Sequence, residues 1–251
     1  MNISIAAKFA LTISAIGMLA STALGWYSYS STREVLQSEI RHKLEAVREN
    51  KGKDVLEDLR DNLNRAAVFS AEPEATEALA LLMAHARAGG VSRDGSFDVT
   101  SAEYERIFRK IMPPILSRMA ITRSLRDIFL VSADNGQVMF SIARGRDLGT
   151  NLRAGPYRSS ALARTWERVI ATGRPYLADF SLYEPAGMAC LFVGAPVFDE
   201  QQRVSAVVIE QFSSERLTEI LQQEAGFGAS GEVFLIGEDK LIRTKLRNLP
   251  D

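Results

Sequence analysis

From Phe9 to Tyr29 the chain carries no Asp, Glu, Lys or Arg. Twenty-one uncharged residues at about 1.5 Å each can cross a hydrocarbon core of about 30 Å as a helix. No other feature constrains the fold so strongly, because a helix in lipid must satisfy its backbone internally and the residues after it must fold on one side. Lys8 precedes the run, and Trp26, Tyr27 and Tyr29 close it, where aromatic rings favour the interface. Gly17 and Gly25, among many Ala and Ser, would let a second helix approach closely. A cleaved leader is the rival reading, since Ser21-Thr22-Ala23 has small residues at alternate positions. The uncleaved anchor is preferred because the apolar run continues into the aromatic belt and the next segment reads as the same helix. Lys8 and the free amine favour the N-terminus inside and residues after about 30 outside.

From Thr32 to Ser70 there is no proline and one glycine, Gly52. Leu36, Ile40, Leu44, Val47, Val55, Leu59 and Leu63 recur in steps of three and four, with Lys51 interrupting the stripe. That spacing predicts a long stalk helix with one apolar face and a charged, solvated remainder. The stripe needs a packed domain or a partner helix, so a dimer is expected. Glu72-Pro73-Glu74 starts a second helix to about Arg87. A loop spans 88–96, and Thr100-Ser101-Ala102-Glu103 opens a third helix, which Pro113-Pro114 is expected to bend or break. His42 and His85 have no second ligand at helical spacing and read as structural or exposed.

The texture then turns β-prone. Asp127 to Val131 and Val138 to Ile142 flank Asp134-Asn135-Gly136, a strong hairpin signal. A helix is predicted over 157–171, ended by Gly173 and Pro175, and strands at Tyr176–Tyr183, Ala189–Val197 and Val204–Phe212. Ser213 to Gln223 reads as a short helix ended by Gly226, and 232–236 with 240–243 as a further hairpin. Hairpins with flanking helices make this an α+β chain with an antiparallel sheet.

Net charge is −1, which gives no case for nucleic-acid binding. The one cysteine, Cys190, sits in the apolar run Cys190-Leu191-Phe192-Val193, so no intrachain disulfide or thiolate metal cluster is possible and a core role is expected. No nucleophile motif, Walker loop, metal cluster or dinucleotide fingerprint is present, and no cofactor is expected. Gly145-Arg146-Asp147-Leu148-Gly149 lacks the spacing of a phosphate loop.

Four stretches, in order, resemble the double Cache family of bacterial receptor ectodomains. Leu44-Glu45-Ala46-Val47-Arg48-Glu49-Asn50-Lys51 looks like its early stalk signature, and Asp179-Phe180-Ser181-Leu182-Tyr183-Glu184-Pro185 its Asp-Phe…Tyr-x-Pro stretch. Gly194-Ala195-Pro196-Val197 looks like the core strand that comes next, and residues 228–237 like the start of the second Cache module. The resemblance implies a PAS-like sheet packed on the stalk helix, repeated twice. It also implies a homodimer in the bacterial inner membrane with a periplasmic sensor. Such sensors are joined through a further membrane helix to chemotaxis, histidine kinase or cyclase modules. The expected division is a cytoplasmic tip and membrane helix over 1–31, a stalk over 32–70 and a membrane-distal module over 71–225. A membrane-proximal module starts at 226–251 and reads as truncated, so its hairpin is expected to be loosely held.

Between Ser141 and Pro175 lie seven arginines, at 144, 146, 153, 158, 164, 168 and 174, opposed only by Asp147 and Glu167. An arginine fork suits carboxylate or phosphate. The family binds ligands in the region corresponding to 147–183. The expected site is therefore Arg153, Tyr157, Arg158, Trp166, Asp179 and Tyr183, taking a small anionic or zwitterionic ligand. Set against this, most of the arginines could form a solvated helix face, with Trp166 in the core. Arg164-Thr165-Trp166 lacks the spacing of the amino-acid-binding members, which puts amino-acid sensing in doubt. The expected function is extracytoplasmic small-molecule sensing for chemotaxis or another transmembrane signal, not catalysis. The alternatives are a membrane-tethered periplasmic hydrolase and a ligand-free dimerisation stalk.

Overall fold

The computed structural model describes residues 4–91, 95–223 and 231–247. The chain divides into two compact units, Met1–Gly52 and Lys53–Asp251. Helix α1, Ile5–Ala71, joins the expected membrane helix and stalk into one element.

In the first unit α1 is exposed along its apolar run, and it is the one described helix long and apolar enough to cross a membrane. Its hydroxyls need no outside partner there. Thr12 Oγ1 donates to the Lys8 carbonyl at 2.9 Å, and Thr22 Oγ1 to that of Met18 at 2.8 Å. Such back-bonding lets a polar side chain sit in an apolar medium. Leu36, Ile40 and Leu44 are also exposed.

In the second unit the same stripe is covered. Val55, Ala66 and Phe69 are buried, and Leu59 and Leu63 pack against the core that they enter. Two helices come next, α2 (Pro73–Arg87) and α3 (Ala102–Ile121). Ser101 caps α3, its hydroxyl accepting from Tyr104 N at 3.2 Å. Contrary to expectation, α3 runs through Pro113-Pro114 as one helix. The two prolines are exposed, as are Arg109 and Lys110, whose carbonyls lose their helical donors to them. The opposite face buries Ile107, Phe108, Ile111 and Ile115, which holds the helix on the core despite the lost bonds.

The sheet has five antiparallel strands: β1 (Leu125–Ser132), β2 (Val138–Ser141), β3 (Tyr176–Tyr183), β4 (Met188–Phe198) and β5 (Val204–Phe212). Their order is β2-β1-β5-β4-β3, so the first and last strands meet at the centre. This is the PAS-like arrangement that the resemblance implies. Gly136, at φ 74°, makes the β1–β2 turn. Alternation along the strands divides the core in two. One face, with Ile128, Leu130, Val193, Val208 and Phe212, packs with the end of α1, α2 and α3. The other, with Phe129, Val131, Phe192, Val207 and Ile209, packs under α4 (Ala161–Thr172).

Helix α4 starts later than the periodicity predicts, because the Ser160 hydroxyl caps it, accepting from Ala163 N at 3.2 Å. It stops where expected, at Gly173 with φ 62°. It lies so close to β4 that a Cβ on Gly194 would stand 2.6 Å from Thr165 Cγ2. After β5 comes α5, Glu215–Gln222. Gly226 and the start of the expected second module lie outside the described residues. Within 231–247 the bridge Ile236↔Ile242 stands where two strands were expected.

Candidate functional site

The loop from Ile142 to Ser160 crosses the α4 side of the sheet, between β2 and α4. The Asn151 carboxamide organises it, Oδ1 accepting from Arg153 N at 2.8 Å and Ala154 N at 3.0 Å. Beside its first part lies an open concavity of about 410 Å³, with Arg126, Asp127, Gly145, Asp147, Tyr183 and Gln211 among its lining.

Two carboxylates are buried in this wall, and they are bonded very differently. Asp127 Oδ1 accepts from the backbone N–H groups of Ile128 at 2.8 Å, Ile142 at 2.8 Å and Ala143 at 3.2 Å. Its Oδ2 accepts from the Ser141 hydroxyl at 2.6 Å. Burial still pushes the Asp127 carboxyl up to about 6, against these hydrogen bonds, and the nearby Asp147 charge adds to the rise. Asp147 Oδ2 accepts the Tyr183 phenol at 2.5 Å. Its Oδ1 accepts no hydrogen bond of ordinary geometry among the described residues, although the backbone N–H groups of Asp147 and Leu148 lie near enough to favour the carboxylate. Burial raises the Asp147 carboxyl too, opposed mainly by the Tyr183 bond. Tyr183 is itself held far above the usual phenol range, first by burial and then by the Asp147 charge. Gln211 is buried on the same face, its Nε2 donating to Cys190 Sγ at 3.0 Å.

The six residues singled out from the sequence fall in different places. Tyr183 is in the concavity wall, its ring edge-on to Phe192 at 5.0 Å. Tyr157 joins it, with ring centroids 6.4 Å apart. Trp166 is core: it is buried under the sheet, and its Nε1 donates to the Ser132 carbonyl at 2.9 Å. Arg153 is exposed and lies over the Trp166 ring at 5.6 Å. Arg158 is exposed, and its Nη1 donates to the Gly155 carbonyl at 3.4 Å. Asp179 is exposed where β3 bulges against β4, and it takes a forked ion pair from Arg243, with Nη2 at 2.8 Å and Nε at 3.2 Å.

Asp127, Asp147 and Gln211 were not singled out. One signal was available, an acid directly before the buried run Ile128-Phe129-Leu130-Val131. In the sequence Asp147 stands out only as a charge among arginines.

Across the sheet from the concavity, Glu210, the neighbour of Gln211 on β5, points the other way and is buried. Arg118 Nε donates to Glu210 Oε1 at 2.8 Å, and Arg118 Nη2 to the Arg65 carbonyl of α1 at 2.7 Å. The guanidinium stacks on Phe69 at 4.4 Å. Burial raises the Glu210 carboxyl, and the Arg118 charge opposes it. One side chain thus ties β5 and α3 to the last turns of α1.

No family model matches the chain, and no curated protein matches it. Several solved structures are similar. The sensor domain of the V. cholerae histidine kinase DctB is 17% identical with a TM-score of 0.44, covering 76% of this chain and 61% of its own. The ligand-binding domain of the Campylobacter jejuni chemoreceptor Tlp3, solved with L-norvaline, is 12% identical with a TM-score of 0.43, covering 82% and 71%. That of the Pseudomonas aeruginosa PAO1 amino acid chemoreceptor PctC, solved with GABA, is 19% identical with a TM-score of 0.39, covering 73% and 74%. The chain spans about three fifths of the length of the DctB sensor domain. These three are sensor and ligand-binding domains, of one histidine kinase and two chemoreceptors.

Proposed function

We propose that the chain is the small-molecule-sensing part of a bacterial membrane receptor, with a Cache-like module that binds its ligand in the concavity beside Asp147. The observation that carries this reading is the open cavity walled by the buried side chains of Asp127, Asp147, Tyr183 and Gln211, where one Asp147 oxygen makes no hydrogen bond of ordinary geometry. An unsatisfied buried polar group is costly and is kept where function uses it. In this reading Phe9–Tyr29 anchors the chain in the inner membrane, and the sheet module stands in the periplasm. Residues 71–225 form the membrane-distal module and 226–251 the start of a membrane-proximal one. The exposed stripe Leu36, Ile40 and Leu44 supports pairing of two copies along the stalk.

The mechanism runs through β5. Gln211 faces the ligand and Glu210, one residue earlier, holds Arg118 and through it the Arg65 carbonyl. A ligand that shifts β5 by a fraction of an ångström would alter this tie, and the end of α1 would carry the change toward the membrane. The ligand can bias α1 only by its differential affinity for the two arrangements.

The full chain in detergent micelles, unfolded thermally against a broad set of small metabolites, tests this. A true ligand at a hundredfold excess over its Kd stabilises by about 2.7 kcal/mol. A tethered hydrolase would turn a compound over, and a structural stalk would show no stabilisation by any. Intact mass tests the anchor, since a mature protein starting near Leu24 would remove it.

A further inference from the structure

We propose that Asp179, Gly237 and Arg243 form a latch that couples the edge strand β3 to residues 231–247, so that docking of this segment follows the conformation of the strand that carries Tyr183. The latch goes beyond the sensing role proposed above and does not depend on where a ligand binds. Segment 231–247 has two seats. One is α5, which stands shortly before it in the chain. Lys245 N donates to Thr218 Oγ1 at 3.1 Å, and Gln222 Nε2 to the Lys245 carbonyl at 3.3 Å. The other is β3, where Arg243 reaches back sixty-four residues to Asp179, with Nη2 at 2.8 Å and Nε at 3.2 Å.

Separate features of the chain meet at this second seat. β3 ends the sheet, and its register against β4 shifts between Ala178 and Ser181. A bulge re-aims side chains, and Asp179 is the acid within this one. Its carboxylate is held in place by Phe180 N, which donates to Oδ1 at 2.7 Å. Arg243 is held by its own segment. Its backbone N–H donates to the Leu235 carbonyl at 2.8 Å, its Nη2 also pairs with Asp239 Oδ1 at 2.8 Å, and its Nη1 donates to the Leu241 carbonyl at 3.3 Å. Gly237 makes the room, because a Cβ there would stand 2.7 Å from Arg243 Nε and closer still to Cζ. The pair is lopsided: the Arg243 side chain is 7% exposed and that of Asp179 58%. Asp179 can return to water at little cost, whereas Arg243 would keep a mostly hidden charge with Asp239 alone. A shift of the bulge that opens the fork therefore favours release of Arg243 together with its segment. The coupling is reciprocal, so undocking of the segment must also loosen the bulge.

Hydrogen exchange of the full chain in micelles, with no ligand added, tests this in the wild type, Arg243→Gln, Asp179→Asn, the double variant and Gly237→Ala. Circular dichroism checks that each variant folds, and Asp179→Asn alters an exposed side chain, so one variant remains should another fail. Amides in 235–243 should exchange about fivefold faster in each single variant, as befits loss of a forked pair with one exposed partner. The double variant should be no faster than either charge variant, since all three remove the same contact. Gly237→Ala leaves both charges in place and should act by crowding the guanidinium out. Amides in 178–183 should also quicken in Arg243→Gln, a response that mere anchoring of the segment would not produce. Unchanged protection of 235–243 in Arg243→Gln and Asp179→Asn would overturn the latch, as would additive effects in the double variant. Faster exchange in 235–243 with 178–183 unchanged would overturn the coupling. None of these results bears on the sensing role, which the metabolite screen judges separately.

Discussion

Replacing Asp127 by Asn should convert a pH-dependent stability into a flatter one. Burial holds the Asp127 carboxyl at about 6 in the folded protein, against its ordinary 3.8. The folded state therefore keeps a proton that the unfolded chain releases as pH rises from about 4 to about 6. Where the folded state binds more protons, stability falls with rising pH. The contribution is complete below about pH 4 and lost above about pH 6. At about 1.4 kcal/mol per unit, the shift corresponds to roughly 3 kcal/mol. The carboxamide introduced by Asp127→Asn cannot titrate. Its carbonyl can accept the same backbone N–H groups while its amide faces Ser141 Oγ. The stability of the variant relative to wild type should therefore rise by about 3 kcal/mol between pH 4 and pH 7. The assay is urea unfolding followed by Trp166 fluorescence, with Trp26→Phe in both proteins to remove the other tryptophan. Acids held low by their bonds, such as Asp98, Asp199 and Asp239, give the opposite slope, but they are common to both proteins and cancel. A difference that does not change with pH would refute the reasoning, because Asp127 would then matter only as a hydrogen-bond acceptor.

Trp166→Ala should cost about 3–5 kcal/mol, since it empties the space between α4 and the sheet; the same urea titration, read by circular dichroism, checks it. Arg118→Ala strands the buried Glu210 and should cost a similar 3–5 kcal/mol, with Arg118→Ala/Glu210→Gln recovering part of it. In hydrogen exchange, amides in 128–142 and 191–211 should be protected far longer than those in 232–243. The former lie in the five-stranded sheet, whereas the latter rest on the bridge Ile236↔Ile242.

Elements whose ends carry local chemistry were legible in the sequence. Strands β3 and β5 begin and end at the residues where their apolar alternation does, and Gly173 stops α4 by its backbone freedom. The misses have a common cause in tertiary context. Pro113-Pro114 should interrupt a helix in isolation, but the buried face of α3 outweighs two lost bonds on its wet side. The hairpin expected at 232–243 has the right residues, but forms no more than a bridge. The site was the least legible part. The excess of arginines between 144 and 174 drew attention to charge, yet Arg153 and Arg158 are exposed. Asp147 gains its significance from Tyr183, thirty-six residues away, which takes one oxygen and leaves the other. Asp179 has the residue type expected of a ligand contact, but the bulge in β3 turns it to Arg243. Which carboxylate is fully bonded and which is not depends on non-local hydrogen bonds, and no spacing rule encodes them.

The most direct test of the sensing site is a hydrogen-exchange footprint of the full chain, saturated with a compound found in the metabolite screen. If the concavity is the site, amides in 142–148 and 183–188 should slow markedly, with a smaller change in β5 around Gln211. Slowing confined to 53–65 and 213–217 would place the ligand on the opposite side of the sheet. That result would contradict the assignment to Asp147 and Tyr183.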